Sequence, residues 1–307
     1  MTGTALVVGE ALVDVVRRID GTVDTHPGGS PANVAIGLGR LGRDVELLTW
    51  LGADAHGAQV RAHLEGSGVR LAPGSESAPS TSVATATLDE TGAATYDFDL
   101  TWEIAADAAP VPLPVVVHTG SIAAVLEPGG AAVAALLENA RAHATITYDP
   151  NARPALMGEP ARARSAVERI VAISDVVKVS DEDIAWLSGG AEVDAIARQW
   201  AGSGPAIVVV TRGGDGATAF LSDGREMSVD APRVTVADTV GAGDSFMGGL
   251  IDGLWGAGLL GAPRREALRA VDDATVTSML DRCARIGAIT VSRPGANPPS
   301  SAELGED

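Results

Sequence analysis

238-DTVGAGDSFMGGL-250 sets an acid directly behind Gly-Ala-Gly, at the head of an apolar helical pattern. Phe246, Met247, Leu250, Ile251 and Leu254 recur at helical spacing, so a helix starts near Asp244. Glycine inside a helix costs roughly 0.8–1.0 kcal/mol relative to alanine, so Gly241 and Gly243 point to a backbone requirement or a simple turn. A helix N-terminus offers unpaired N–H groups and the positive end of the dipole, and glycines let successive amides converge on one point. Gly241, Ala242 and Gly243 therefore read as an anion site. A carboxylate beside such a site is unfavourable unless it handles a proton. Phosphate on the amides, with Asp244 taking a proton from an attacking hydroxyl, accounts for both. The dipole favours the ionised form, and a weak base suffices where positioning and charge stabilisation dominate, as in phosphoryl transfer. The plainer alternative is an acidic N-terminal cap. A further rival makes Ser245 a hydrolase nucleophile, which needs a histidine base, and no histidine follows His143.

A second glycine-rich stretch, 28-GGSPANVAIGLGRLG-42, contains Gly37-Leu38-Gly39-Arg40-Leu41-Gly42, the G-x-G-x-x-G spacing of dinucleotide sites. That fingerprint should follow a strand and open a helix, whereas here the preceding residues are already helical. Ser30 suits the N-cap, Pro31 the first turn, and Gly42 the C′ position. Gly37 and Gly39 are better explained by close packing against a neighbour. Gly28 and Gly29 remain ahead of the helix, with Asn33 in its first turn. Two glycines admit a ligand to the backbone and Asn33 offers a donor and an acceptor, which suits a polyhydroxylated ligand. A tight turn with a capping side chain fits as well.

Working outward, short apolar runs alternate with amphipathic stretches. The runs 5-ALVVGEALVDVV-16, 45-VELLTWLG-52, 115-VVVHTG-120, 145-TITYD-149, 176-VVKVS-180 and 206-AIVVVTRG-213 suit strands buried on both faces. Helical patterns at 131–143 and 193–203 complete an α/β layer fold with a mostly parallel sheet. The segment 81–102 breaks this rhythm, alternating in period two about Glu90-Thr91-Gly92, so it is a hairpin: a lid, or an edge extension of the main sheet. The polar tail 298–307 is expected to fray.

The 307 residues carry a net charge of −18, which argues against nucleic-acid and anionic-membrane partners. Lys178 is the single lysine and no Gly-Lys pair occurs, so a P-loop is excluded. The five histidines and lone Cys283 form no metal-binding spacing. A single cysteine, no signal-peptide pattern and no long apolar run together predict a cytoplasmic protein.

The two glycine-rich stretches together resemble the paired signatures of the ribokinase-like, PfkB-type carbohydrate kinases. Further segments, 9-GEALVD-14, 118-HTGSIAAVLEP-128, 148-YDPNAR-153, 176-VVKVSDEDIAWL-187, 209-VVTRGGDGA-217 and 291-VSRPGANPP-299, are similar to the fructokinase and 2-keto-3-deoxygluconate kinase branch. The resemblance implies a single ribokinase-like α/β/α sandwich over 1–307, with a small β-stranded lid near 11–27 and 81–102. It implies Asp244 as the base, Gly241, Ala242 and Gly243 as the anion hole, and Arg153 near substrate or phosphate. Asp14, Gly28, Gly29 and Asn33 would hold the sugar. Thr211, Gly213, Gly216, Gly295 and Asn297 would line the nucleotide. Asp238 and Val240, with Gly295, match positions around a monovalent cation such as K+. Mg2+ would arrive with ATP. The N-x-x-E motif associated with Mg2+ reads 180-SDED-183, where Asp183 is one methylene shorter than glutamate. Tyr96, Phe98 and Trp102 are candidates to cover the sugar, and lids in this family pair across homodimers. The implied activity is ATP-dependent phosphorylation of a small sugar, fructose first and 2-keto-3-deoxygluconate, ribose or a nucleoside after it. A binder of sugar or nucleoside without turnover, and the Ser245 hydrolase, are the rivals from other classes.

Overall fold

The computed structural model describes residues 3–89, 94–104 and 113–305. The main sheet is built from β1 (Ala5–Val8), β4 (Val45–Leu48), β5 (Val69–Leu71), β8 (Val116–Gly120), β9 (Thr145–Asp149), β10 (Val176–Ser180), β11 (Ile207–Thr211), β12 (Ala217–Leu221) and β13 (Glu226–Val229). Its order is β13-β12-β11-β10-β9-β8-β1-β4-β5. All neighbours run parallel except β11–β12 and β12–β13. The runs β1 and β9 are buried throughout, as a strand covered on both faces requires.

A smaller sheet, ordered β3-β2-β6-β7, is made by β2 (Leu12–Arg17), β3 (Val23–Gly28), β6 (Val83–Leu88) and β7 (Ala94–Asp99). The hairpin is therefore paired with β2 and not with the edge of the main sheet. Its turn at 90–92 lies outside the described residues. The run 5–16, read as one strand, is two strands in two sheets. Gly9 turns the chain between them: φ is +156°, and a Cβ there would meet the Pro31 ring at 2.3 Å. Hydrophobicity could not reveal this break, because both halves are equally apolar. Pairing puts Asp14 beside His26 and Ala84, and Ala84 beside Phe98, on one face. The adjacent row carries Val16 and Tyr96 on that face. Val13 and Val15 point the other way into the core.

Helices close both faces of the main sheet, and α2 (Ala55–Glu65), α4 (Pro154–Met157), α9 (Arg265–Arg269) and α11 (Ser301–Leu304) complete the set among the described residues. One face holds α1 (Ser30–Arg40), α8 (Ala242–Gly256) and α10 (Asp273–Val291), through Val34, Leu38, Met247, Leu250 and Leu280. The other holds α3 (Gly129–Ala140), α5 (Pro160–Ile173), α6 (Asp181–Ser188) and α7 (Val193–Ala201), through Leu137, Val167, Leu187 and Trp200. The G-x-G-x-x-G spacing is helix packing, as expected. A Cβ on Gly39 would overlap the Ser67 carbonyl at 2.2 Å, and one on Gly248 would lie 3.8 Å from the Gly37 Cα. Gly42 occupies the left-handed position after α1, with φ +78°.

Trp102 is not a sugar cover. It is buried, donates Nε1–H to the Ala123 carbonyl at 2.9 Å, and packs where Gly129 leaves room. Tyr96 and Phe98 remain on the lid, stacked on each other at 6.1 Å. The tail residues Ser301–Leu304, expected to fray, form a helical turn instead. Ser300 and Glu303 close a capping box, and Leu304 is buried.

Candidate active site

The carboxyl ends of β1, β9 and β10 and the amino ends of α1 and α8 meet at one crevice. Ligands bind in that position in open α/β sheets. Asp244 lies at its centre, in the first turn of α8 and 6% exposed. Three side chains donate to it: Ser30 Oγ to Oδ1 at 2.6 Å, Asn33 Nδ2 to Oδ2 at 2.8 Å, and Asn151 Nδ2 to Oδ1 at 3.2 Å. All three partners donate hydrogen bonds, which suits a carboxylate able to accept one more from an incoming hydroxyl. The α1 N-cap falls on Gly29, one residue earlier than expected, which frees the Ser30 hydroxyl for Asp244.

Gly241 caps α8 with φ +75°, and no side chain caps this helix, so its first-turn amides have no side-chain acceptor. A Cβ on Gly241 would press on Ala296 at 2.5 Å, and one on Gly243 would lie 2.8 Å from Lys178 Nζ. Both glycines of this Gly241–Gly243 cradle thus sit where a side chain would press on a neighbour. Ser245, the hydrolase candidate, is buried and gives its hydroxyl to the Gly241 carbonyl at 2.8 Å.

Gly28 and Gly29 join the small sheet to α1. Gly28 makes room for the Asp14 carboxylate, which a Cβ would meet at 2.3 Å. Arg153 lies on the loop after β9, where Nη1 donates to Asn151 Oδ1 at 2.7 Å and to the Ala152 carbonyl at 3.0 Å. Asp183 Oδ1 accepts the Ala152 N–H at 3.0 Å, which fastens this loop to α6. No three acids, histidines or cysteines among the described residues gather as a metal cage.

Thr211, Gly213 and Gly216 line the turn between β11 and β12, where Gly213 and Gly216 have φ of +50° and +94°. Asp238 accepts the N–H groups of Val240 at 3.0 Å and Gly295 at 2.9 Å, so the 238–240 segment and the 295 loop adjoin. Arg40, at the end of α1, donates to Asn297 Oδ1 and to the Pro298 carbonyl.

Several site residues escaped the sequence reading. Ser30 passed as a cap. Asn151 lay within the quoted YDPNAR, and its φ of +36° marks it in the structure. Glu10 follows β1, is 7% exposed, and has a buried Oε2 without a hydrogen-bond partner. Burial pushes its carboxyl up to about 7; its own backbone amide, Ser121 and Arg153 oppose that shift, and Asp244 reinforces it. A raised carboxyl contributes stability that is complete below about pH 4.5 and is lost as pH climbs through 7. Glu10→Gln should therefore leave stability unchanged relative to the parent at pH 4. At pH 8 it should gain about 3–4 kcal/mol, at ~1.4 kcal/mol per unit. Urea midpoints of both proteins at the two pH values check this, and equal midpoints at pH 8 would contradict it.

A sequence model described as pfkB family carbohydrate kinase matches residues 3–303. A fructokinase of Klebsiella pneumoniae is 35% identical, covering 84% of this chain and 87% of its own. A fructokinase of Rhizobium leguminosarum bv. trifolii is 34% identical, covering 81% and 79%. The crystal structure of a fructokinase from Xylella fastidiosa with bound ATP superposes over the whole of this chain and 98% of that one. Its TM-score is 0.85 at 24% identity, which establishes a shared fold. No helix among the described residues is long and apolar enough to cross a membrane.

Proposed function

The chain belongs to the pfkB family of carbohydrate kinases, and from that premise we propose that it phosphorylates fructose at the expense of ATP. The observation that carries the reading is Asp244, held by Ser30, Asn33 and Asn151 at the head of α8 and directly behind the Gly241–Gly243 cradle. ATP, brought in with Mg2+, supplies the transferable phosphoryl group. The sugar lies between the small sheet and α1, with Asp14 and the Gly28–Gly29 backbone at its hydroxyls. Asp244 accepts the proton of the attacking hydroxyl, and its three donors keep the carboxylate aimed during transfer. The α8 amides meet the charge that develops on the transferring group. Arg153, released from its own loop, adds a cation on the same side. Sheet β3-β2-β6-β7 acts as a lid that excludes water, and its exposed Tyr96 face suits pairing with a second copy.

Fructose is favoured over a keto-acid sugar by the cations available. Lys178 is buried against Asp149, and Arg153 is assigned to phosphate, so the motifs offer no obvious spare cation for a substrate carboxylate. The fructokinase relatives point the same way. ADP release from Mg-ATP with fructose, 2-keto-3-deoxygluconate, ribose, glucose, adenosine or no acceptor tests the proposal. Fructose should give the highest kcat/KM. A stronger response to 2-keto-3-deoxygluconate would reassign the substrate, and ATP binding without turnover of any acceptor would favour a non-catalytic binder.

A further inference from the structure

Lys178 is the one lysine among 22 cationic residues, and it is buried. It sits in the middle of β10, on the sheet face covered by α8, since its parallel partner Val209 belongs to the core on that side. Its Nζ pairs with Asp149 Oδ2 at 2.8 Å, with the two side chains 4% and 0% exposed. The same Nζ lies 2.8 Å from the position of a Gly243 Cβ, directly beneath the cradle. Burial works against its charge, but Asp149, Asp244 and Asp183 more than offset this and hold Lys178 as an ammonium.

Every other cationic side chain of the chain is arginine, so its one ammonium lies at this spot. Guanidinium is a broad planar fork and ammonium a compact point charge, and the Nζ stands 2.8 Å from where a Gly243 Cβ would lie. A buried ion pair is also poor value as a stabiliser, because desolvation consumes most of its Coulomb energy. Packing alone therefore does not explain a Lys–Asp pair at this spot.

We propose that Lys178 is a positioning residue for phosphoryl transfer, a fixed positive charge behind the Gly241–Gly243 amides. In that role it holds the first turn of α8 in place and strengthens the cradle's hold on the transferring group. This rests on the kinase reading above. Lys178 lies behind the Gly243 backbone, so it acts through that backbone. The low-dielectric surroundings make a charge at that depth far more effective than one at the surface.

Lys178→Met alone would leave Asp149 buried and unpaired, so the informative protein is the double variant Lys178→Met/Asp149→Asn, which removes both charges. We expect it to fold, with a Tm within a few degrees of the parent. Its kcat should fall at least 50-fold while KM for the sugar moves less than threefold. A turnover-free readout separates this idea from the kinase reading: aluminium fluoride with Mg-ADP mimics the transferring group. Fluoroaluminate trapping should weaken at least 20-fold in the double variant, with ADP affinity alone unchanged. A double variant that traps and turns over like the parent would show Lys178 to be structural only and overturn the proposal. So would a rise in sugar KM at unchanged kcat. A parent chain that turns over no sugar and traps no fluoroaluminate would overturn both readings together.

Discussion

Asp244→Asn should lower kcat by roughly 10²–10⁴, the span associated with a positioned general base. Sugar and ATP affinities should stay within a few-fold. Three side chains donate to the carboxylate, so an amide there must turn one N–H toward Asn33 or toward the Ser30–Asn151 pair. One of those contacts becomes donor against donor, and the remaining oxygen cannot take a proton from the acceptor hydroxyl. The loss is thus chemical, with a smaller cost in local order. Steady-state kinetics and calorimetry on the purified variant check it. More than a tenth of parental kcat would remove Asp244 from the role of base and leave it a helix cap. Ser245→Ala is the companion control, since its hydroxyl is committed to the Gly241 carbonyl.

Gly29→Ala should be the most destabilising single methyl in the crevice. Gly29 has φ +107°, where a side chain is strained, and its Cβ would lie 2.4 Å from the Glu10 carbonyl oxygen and 3.0 Å from the Ala11 Cα. Both obstacles are backbone of the β1–β2 connection, so neither can rotate away. Strain of this kind costs about 1–3 kcal/mol before the overlap is relieved. A total near 3 kcal/mol would lower Tm by about 5 °C in a chain of this size. Activity should fall more steeply than stability, because Gly29 opens α1 and any shift carries Ser30 and Asn33 away from Asp244. A thermal melt within 2 °C of the parent would show that the connection yields.

Much of this was legible in the residues. The parallel sheet showed in its uninterrupted apolar runs, and α8 showed in the glycines ahead of its apolar face. Gly42 announced the end of α1 correctly. What stayed hidden depends on distance in sequence. Ser30, Asn151 and Asp244 are separated by 93 to 214 positions and meet only because β9, α1 and α8 end in one crevice. The split of 5–16 into two strands was invisible because hydrophobicity does not report a change of sheet. Trp102 looked like a lid aromatic because it follows the hairpin, yet its indole N–H finds a carbonyl beneath the sheet. Nothing in the sequence indicated that Asp183 Oδ1 accepts the Ala152 amide, 31 positions away.

The burial of Lys178 also shapes what the surface can react with. With its one lysine enclosed, the folded chain presents no side-chain amine to solvent. Reducing sugars attack proteins by condensing with such amines into Schiff bases that mature into irreversible adducts. A protein whose exposed cations are all guanidinium groups offers that condensation no lysine. Its positive charge is carried in a form that can sit in concentrated ketose without being consumed by it in this way.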